Sequence, residues 1–459
     1  MPEWSIALLL AVASLLWSTI AIIASPGLSR YDEWTYIDYS YQVSNGIIPV
    51  QGDDLSEYAR QAWSCRGMEG DIRGVVPPPC DEVADHPVTD WPFEGENYNT
   101  FHPPLYFAFA GGVGKALGAF GVDFTDGARI ASAILGAAGA ACLYLAIRSW
   151  GVGRRNSAGA TLIAMSAPAL AQASAIVHND AISMLAGAAA VRFAARIFKH
   201  QNHGWVLPLV LTALISATRT MSVVAVLAVG ILAGIVALIQ DEKWKKLKPA
   251  LGIALGTALP YVLWTAFQNS RRPADYVPSI TGLSTEPFEI GDSLAVLNTI
   301  VGGGAPWGLT SPAGDWYLHP DLNSGLLEGW SWILYFAFLL LLPNALYVAL
   351  NNRGEVRYLA ILIIALPVVT ALVVQGREIL SNEAYFRAIS GRYAITAVPM
   401  YAAFIGVLFE RVKNGWILFG IGLVGYAALL LSRRCWPHPR GVKGVWGVWD
   451  GVLSWSPPA

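Results

Sequence analysis

The chain has 459 residues, of which 54% are hydrophobic and 14% charged, where an ordinary soluble domain carries about 25% charged residues. A soluble core cannot absorb so many uninterrupted apolar runs, so lipid is the solvent for most of this chain. A net charge of −2 gives nothing to favour nucleic acid as a partner, and four cysteines exclude a disulfide-dense scaffold.

A membrane crossing takes about 20 mostly apolar residues. The first candidate runs from Trp4 to Ala24. The residues before it, Met1-Pro2-Glu3, lack the basic region of a signal peptide, and Ile22/Ala24 is a poor cleavage site, so the segment reads as a retained helix. Further spans are predicted over 127–148, 157–177, 181–198, 204–218, 221–240, 249–267, 329–350, 357–375, 394–410 and 415–432. Segment 204–218 is short and needs bilayer thinning or a partner to cover its ends.

The apolar run from Leu105 to Val122 is decided by charge. Arg154-Arg155, Lys199-His200, Lys243-Lys245-Lys246-Lys248, Arg353/Arg357 and Arg411-Lys413 all fall on the cytoplasmic side only if 102–122 stays interfacial or re-entrant. Gly111, Gly112, Gly114, Lys115 and Gly118 also suit a lipid-facing helix poorly. The expectation is an all-α polytopic membrane protein with about 11 transmembrane helices and juxtamembrane helices in a large first exterior loop. The cost is Arg433-Arg434 on the exterior. The expected division is 1–25, first transmembrane helix; 26–122, exterior loop with juxtamembrane helices; 123–267, transmembrane helices of the catalytic half; 268–328, second exterior loop; 329–433, C-terminal transmembrane helices; and 434–459, a tryptophan-rich tail. No internal repeat is visible, so an inverted-repeat transporter has no positive support.

Residues 26–101 hold 14 of the 32 carboxylates, with four arginines and no lysine. Cys65 and Cys80 lie there too. On an oxidising face a bridge between them would stabilise the loop by about 3 kcal/mol, and two free thiols are the alternative. Cys142 falls within a span and Cys435 has no obvious mate. The densest stretch is Tyr31-Asp32-Glu33-Trp34-Thr35-Tyr36-Ile37-Asp38-Tyr39. With Tyr41, its aromatics fit an amphipathic helix resting in the headgroup zone. An acid pair held against apolar surface is desolvated, which raises a carboxyl's pKa toward the range useful to a general base.

More polar groups converge on the same side. His102-Pro103-Pro104-Leu105-Tyr106 opens the interfacial segment, His178-Asn179-Asp180 lies in a turn between two spans, Thr218-Arg219-Thr220 interrupts two apolar helices, and Gly391-Arg392-Tyr393 precedes the tenth span. Ionisable groups in so apolar a setting are costly without a role. The acids could deprotonate a hydroxyl or bind a cation, and the arginines could hold a phosphate by charge-assisted bonds. The bland alternatives are snorkelling arginines at helix ends and a capping role for Asp180.

In this order these residues resemble the GT-C superfamily of membrane glycosyltransferases, including the protein O-mannosyltransferase and aminoarabinose-transferase branches. Asp32-Glu33 is similar to the acid pair after the first helix, His102-Pro103-Pro104-Leu105 to the juxtamembrane His-Pro-Pro or Lys-Pro-Pro element, and Asp180 to a second acid. Arg219 and Gly391-Arg392-Tyr393 resemble the later basic elements. The resemblance is good from 1 to about 220 and loose beyond.

It implies an inverting enzyme with a polyprenyl-phosphate-linked sugar as donor. Asp32 would be the base, with Glu33 and Asp180 orienting the acceptor. Arg219, Arg392 and His102 would hold the leaving lipid phosphate, and Tyr36, His178, Asn179 and Tyr393 would contact acceptor or sugar. Some branches also need a divalent cation, Mg or Mn, which Asp32 and Asp180 would hold here. The acceptor would be an envelope glycan, lipid or protein at the exterior face of the cell membrane. The chain departs from the family members that carry a large soluble C-terminal domain. In the second exterior segment, Arg271-Arg272, Asp275, Glu286, Glu289, Trp307, Asp315-Trp316-Tyr317 and His319 offer faces for acceptor contact or membrane anchoring. Two other function classes remain: a transporter or flippase for a lipid-linked glycan, which should keep its ionisable groups near the bilayer midplane, and a non-catalytic scaffold of envelope assembly.

Overall fold

A computed structural model describes residues 2–29, 31–68, 76–239, 243–276, 285–301, 325–387, 389, 391–412 and 414–432. Trp307, Asp315-Trp316-Tyr317, His319, Arg433-Arg434, Cys435 and the tail 434–459 lie outside the described residues, as do Lys413 and the side chains of Lys243 and Lys246. The architecture is all-α and polytopic. Among the described residues there are sixteen α-helices and one two-stranded antiparallel ribbon of Thr285–Pro287 with Ala384–Phe386.

The helices long and apolar enough to cross a membrane are α1 (Glu3–Ala24), α5 (Phe124–Ser149), the continuous helical segment Asn179–Lys199 containing α8 (Ser183–Ala194), Thr220–Ile239 containing α10 (Val224–Ile239), α11 (Lys243–Asn269), α13 (Gly325–Asn351) and α14 (Val356–Asn382). Shorter apolar helices are α9 (Val206–Thr218), α15 (Ala397–Phe409) and α16 (Trp416–Leu431). The predicted span 157–177 is broken. It forms α6 (Arg154–Met165) and α7 (Pro168–Ala173), because Pro168 cannot continue the preceding helix and starts a new one.

Burial sorts these helices into a centre and a lipid-facing rim. The Asn179–Lys199 window is 78% buried, whereas those of α11 and α13 are 22% and 28% buried. Leu8, Leu9, Val12 and Leu16 on α1 and Leu339, Leu340 and Leu346 on α13 stay exposed, as expected of surfaces facing lipid tails. The central helices approach closely through small residues. A Cβ on Gly159 of α6 would strike the α16 backbone at Leu418, and one on Gly422 of α16 would strike the Gly159 carbonyl.

The loop after α1 folds against one end of this bundle as α2 (Glu33–Ser44), α3 (Glu57–Arg66) and α4 (Leu105–Gly118). At 14 residues α4 is about 21 Å long, short of a crossing. Its Gly111 is needed because any Cβ would collide with the Ser40 carbonyl of α2. The aromatic residues of α2 do not rest in a headgroup layer as expected. Trp34, Tyr36 and Tyr39 are buried, with Tyr39 stacked on Phe107 of α4 and Trp34 packed on Trp63 of α3. The layer over α2 hides these rings, so they form a second small core. Cys65 and Cys80 are joined by a disulfide that pins the end of α3 to the following loop.

Candidate active site

The adjacent acids Asp32 and Glu33 part company at the start of α2. Asp32 takes the left-handed backbone conformation (φ 61°, ψ 7°), which aspartate tolerates better than most residues. Glu33 is fully buried and sits on Arg129 of α5, with Arg129 Nε donating to Oε1 at 2.8 Å and Nη2 to Oε2 at 2.9 Å. The Ser29 and Val177 backbone amides donate to the same carboxylate at 2.7 and 2.8 Å. Arg129 also donates to the Ser25 and Gly27 carbonyls and lies 3.7 Å from Asp126. Both Glu33 oxygens are therefore engaged within the frame, whereas the sequence expectation has it orienting the acceptor. Every bond it makes ties α1, α2, α5 and the segment before Asp180 together.

Asp32 faces the other way. Its Oδ1 accepts from Tyr98 Oη at 2.7 Å and its Oδ2 from Arg392 Nη1 at 3.2 Å. Both partners of this ion pair keep some exposure, 17% for Asp32 and 23% for Arg392, so this is the accessible side of the site. Burial works against the Arg392 cation, but the fields of Asp32, Tyr393, Tyr36 and Asp180 outweigh it and push its pKa up. Tyr393 lies beneath the guanidinium, 5.7 Å from it.

The deep side is built by two helix junctions. After α7 the chain runs extended through His178 (φ −154°), then turns as a short 3-10 segment, Asn179–Ile182, into α8. After α9, Arg219 is likewise extended (φ −157°) before the next turn, so its side chain reaches the first junction. Arg219 forms an ion pair with Asp180, donates to Asn179 Oδ1 at 2.9 Å and comes within 3.4 Å of His178 Nδ1. Asp180 and His178 are fully buried and Arg219 nearly so. The Asp180 amide donates to His178 Nδ1 at 3.0 Å, which places the ring proton of the neutral form on Nε2. Asn179 Nδ2 is buried with no hydrogen-bond partner among the described residues.

Tyr36 joins the two sides. Its ring meets His178 edge-on at 4.5 Å, and its hydroxyl is 3.3 Å from His102 Nε2. Burial first, and then the charges of Asp32, Arg219, Arg392 and Asp180, act on this one phenol and leave its pKa raised. His102 is held by Tyr39, whose hydroxyl donates to the His102 carbonyl at 2.9 Å. Burial and the nearby Arg219, Arg377 and Arg392 push the His102 pKa well below its ordinary value. Burial and the Arg219 and Arg392 charges do the same to His178. His102 can thus offer an anion a hydrogen bond but not a cation. The structure brings Asp32, Tyr36, His102, His178, Asn179, Asp180, Arg219, Arg392 and Tyr393 to one region, and it assigns Glu33 to the frame beside it.

Asp32 and Asp180 are a poor fit to a divalent cation. Each already faces a guanidinium, and among the described residues no group of three or more His, Cys, Asp or Glu side chains gathers as a metal site would need.

Four participants escaped the sequence reading. Tyr98 and Asn97 come from an irregular segment with no local signal. Asn97 donates to Asp38 Oδ2 at 2.6 Å and with the Ser56 amide satisfies that buried acid, whose pKa burial pushes up. Arg129 was legible as an isolated charge inside the predicted span 127–148. Arg377 falls just beyond the predicted span 357–375. Instead α14 continues to Asn382 and holds the Arg377 guanidinium 5.2 Å from the Phe101 ring, with no acidic partner among the described residues.

Superposition gives a match to a crystal structure of ArnT from Cupriavidus metallidurans with undecaprenyl phosphate bound. The TM-score is 0.50 at 16% identity, over 92% of this chain and 63% of that one. The chain shares the fold of that structure. Residues 102–264 also match the family model described as dolichyl-phosphate-mannose-protein mannosyltransferase. That stretch contains His102, His178-Asn179-Asp180 and Arg219 but not Asp32 or Arg392. No curated protein matches the chain in sequence. The chain spans under two thirds of the length of the ArnT structure it matches.

Proposed function

We propose that the chain is an inverting glycosyltransferase that moves a sugar from a polyprenyl-phosphate donor to a hydroxyl of an envelope glycan, lipid or protein at the exterior face of the cell membrane. The observation that carries this reading is that Tyr36, against His178 and His102, links the Asp32–Arg392 ion pair to the Asp180–Arg219 ion pair in one site. Such a site has a place for a base and a place for a departing phosphate.

Asp32 is the base. It is the more accessible acid, and each carboxylate oxygen keeps a lone pair after accepting from Tyr98 or Arg392. It removes the proton of the acceptor hydroxyl as that oxygen attacks the anomeric carbon from the face opposite the phosphate. The anomeric carbon–oxygen bond breaks with its electron pair going to the phosphate, which inverts the configuration. Arg219 and Arg392 neutralise the charge that grows on the leaving phosphate, with Arg377 at the same level and His102 donating one neutral hydrogen bond. Asp180 holds Arg219 in place, and Asn179 Nδ2 is a buried donor available to a sugar hydroxyl. The donor's identity is supported by the fold and by the bound lipid of the ArnT structure.

The test is turnover of a polyprenyl-phosphate sugar by purified protein and its Asp32→Asn variant. Loss of transfer in a folded variant is the expected result, and near-normal transfer would overturn the reading.

A further inference from the structure

The helical segment Asn179–Lys199 begins at Asp180 in the candidate active site and ends about 30 Å away, at 1.5 Å per residue, on the opposite side of the bundle. α5 runs the same way, from Arg129 beside Glu33 to Arg148 and Ser149. Where these two ends meet lies a cleft of about 600 Å³ lined by Arg148, Gly151, Arg192, Arg196, Lys199 and His200. That volume is in the range of ligand-binding sites.

The cleft contains four permanent cations and no acidic lining residue. Arg148 is neutralised by Glu3, with 2.6 Å between Nη2 and Oε1. Arg192, Arg196 and Lys199 have no acidic partner among the described residues, and Arg196 Nε is buried without a hydrogen-bond partner. Their spacing of four and three residues puts them along one helix face.

The last turn, Ala195–Lys199, is π-helical, a conformation that is rare and concentrated at functional sites. Gly151, at φ +85°, completes the wall: this left-handed turn favours glycine and brings the loop against Lys199 Nζ. Three unneutralised cations that converge on one cavity repel each other, and an anion between them removes the repulsion. Cations that serve only to orient the chain in the membrane have no need to converge.

We infer that this cleft holds the phosphate of an anionic phospholipid headgroup from the leaflet opposite the candidate active site. The placement at the ends of two spans puts the cations at headgroup depth, and basic pockets between transmembrane helices are suited to such phosphates. The site is independent of the sugar-transfer reading.

The test compares full-length protein in nanodiscs of phosphatidylcholine with an equal part of phosphatidylglycerol, with retained lipid read by native mass spectrometry. Wild type should keep phosphatidylglycerol selectively. The Arg192→Gln/Arg196→Gln/Lys199→Gln variant should lose that selectivity by about a hundredfold, while Arg353→Gln/Arg357→Gln, which removes basic charge elsewhere, should keep it. Arg196→Gln alone, expected to lose about fivefold, serves if the triple variant fails to fold. Equal retention in wild type and the cleft variants overturns the inference, and so does equal loss in the control. Inorganic pyrophosphate added to delipidated wild type forms the second arm. Saturable thermal stabilisation by it, matching that given by phosphatidylglycerol, would assign the cleft to a soluble phosphate compound and overturn the lipid.

Discussion

Asp32 and Arg392 stand 360 residues apart in sequence and meet at 3.2 Å, so the first loop and the segment before α15 close one site between them. On the reading proposed for that site, Asp32→Asn removes the proton acceptor while the amide can still accept from Tyr98. Transfer should fall by about 10²- to 10⁴-fold with little change in thermal unfolding, as read by donor turnover beside a melting curve.

Glu33→Gln should behave in the opposite manner. It leaves the buried Arg129 without its bidentate counter-charge, with only Asp126 at 3.7 Å remaining, and breaking such a pair costs about 3–5 kcal/mol. Poor yield and a clearly lower melting temperature are expected. A well-folded Glu33→Gln protein with no activity would instead make Glu33 catalytic.

Arg377 faces Phe101 without an acidic partner among the described residues, which leaves its charge available to a donor phosphate. Arg377→Gln should raise KM for the polyprenyl-phosphate sugar about tenfold, the effect of losing one charge-assisted bond. Arg377→Lys should recover part of the loss. Unchanged donor kinetics in both variants would remove Arg377 from the site.

His102 and His178 both have pKa values lowered by burial and by nearby arginines. A histidine with a folded pKa below its unfolded value of about 6.5 binds fewer protons when folded, so stability rises with pH across that window. Their contribution is complete above about pH 6.5 and is lost progressively as pH falls below it. Melting temperature measured from pH 7.5 down to 5 should therefore drop, and the drop should shrink in His102→Asn. A flat profile in wild type would contradict the burial of both rings.

The Cys65–Cys80 bridge closes a short loop, with 15 residues of sequence separation, and is worth about 3 kcal/mol to the subdomain formed by the first loop. Cys65→Ser/Cys80→Ser should become sensitive to proteolysis between α3 and α4 while the bundle stays intact. Equal protease resistance with and without the bridge would show that packing alone holds the loop.

The sequence by itself determined that this is a membrane-embedded helical protein and which residues form its helices, because bilayer thickness imposes a length and composition readable over about 20 residues. It also marked Asp32, His102, Asp180, Arg219 and Arg392, since a charge or imidazole at the edge of an apolar run stands out. Helix ends were less legible: Pro168 splits one expected span, and α14 carries Arg377 and Glu378 past the predicted end at 375, because polar residues such as Glu378, which accepts from Asn382, can continue a helix. Only the tertiary structure decided the fates of Asp32 and Glu33. Adjacent acids look alike in sequence, and the left-handed turn at Asp32 sends one to Tyr98 and the part-exposed Arg392 and the other to the buried Arg129. Their chemistry is set by neighbours from α5, the 97–99 segment and the region before α15, and contacts across such separations have no local sequence signature.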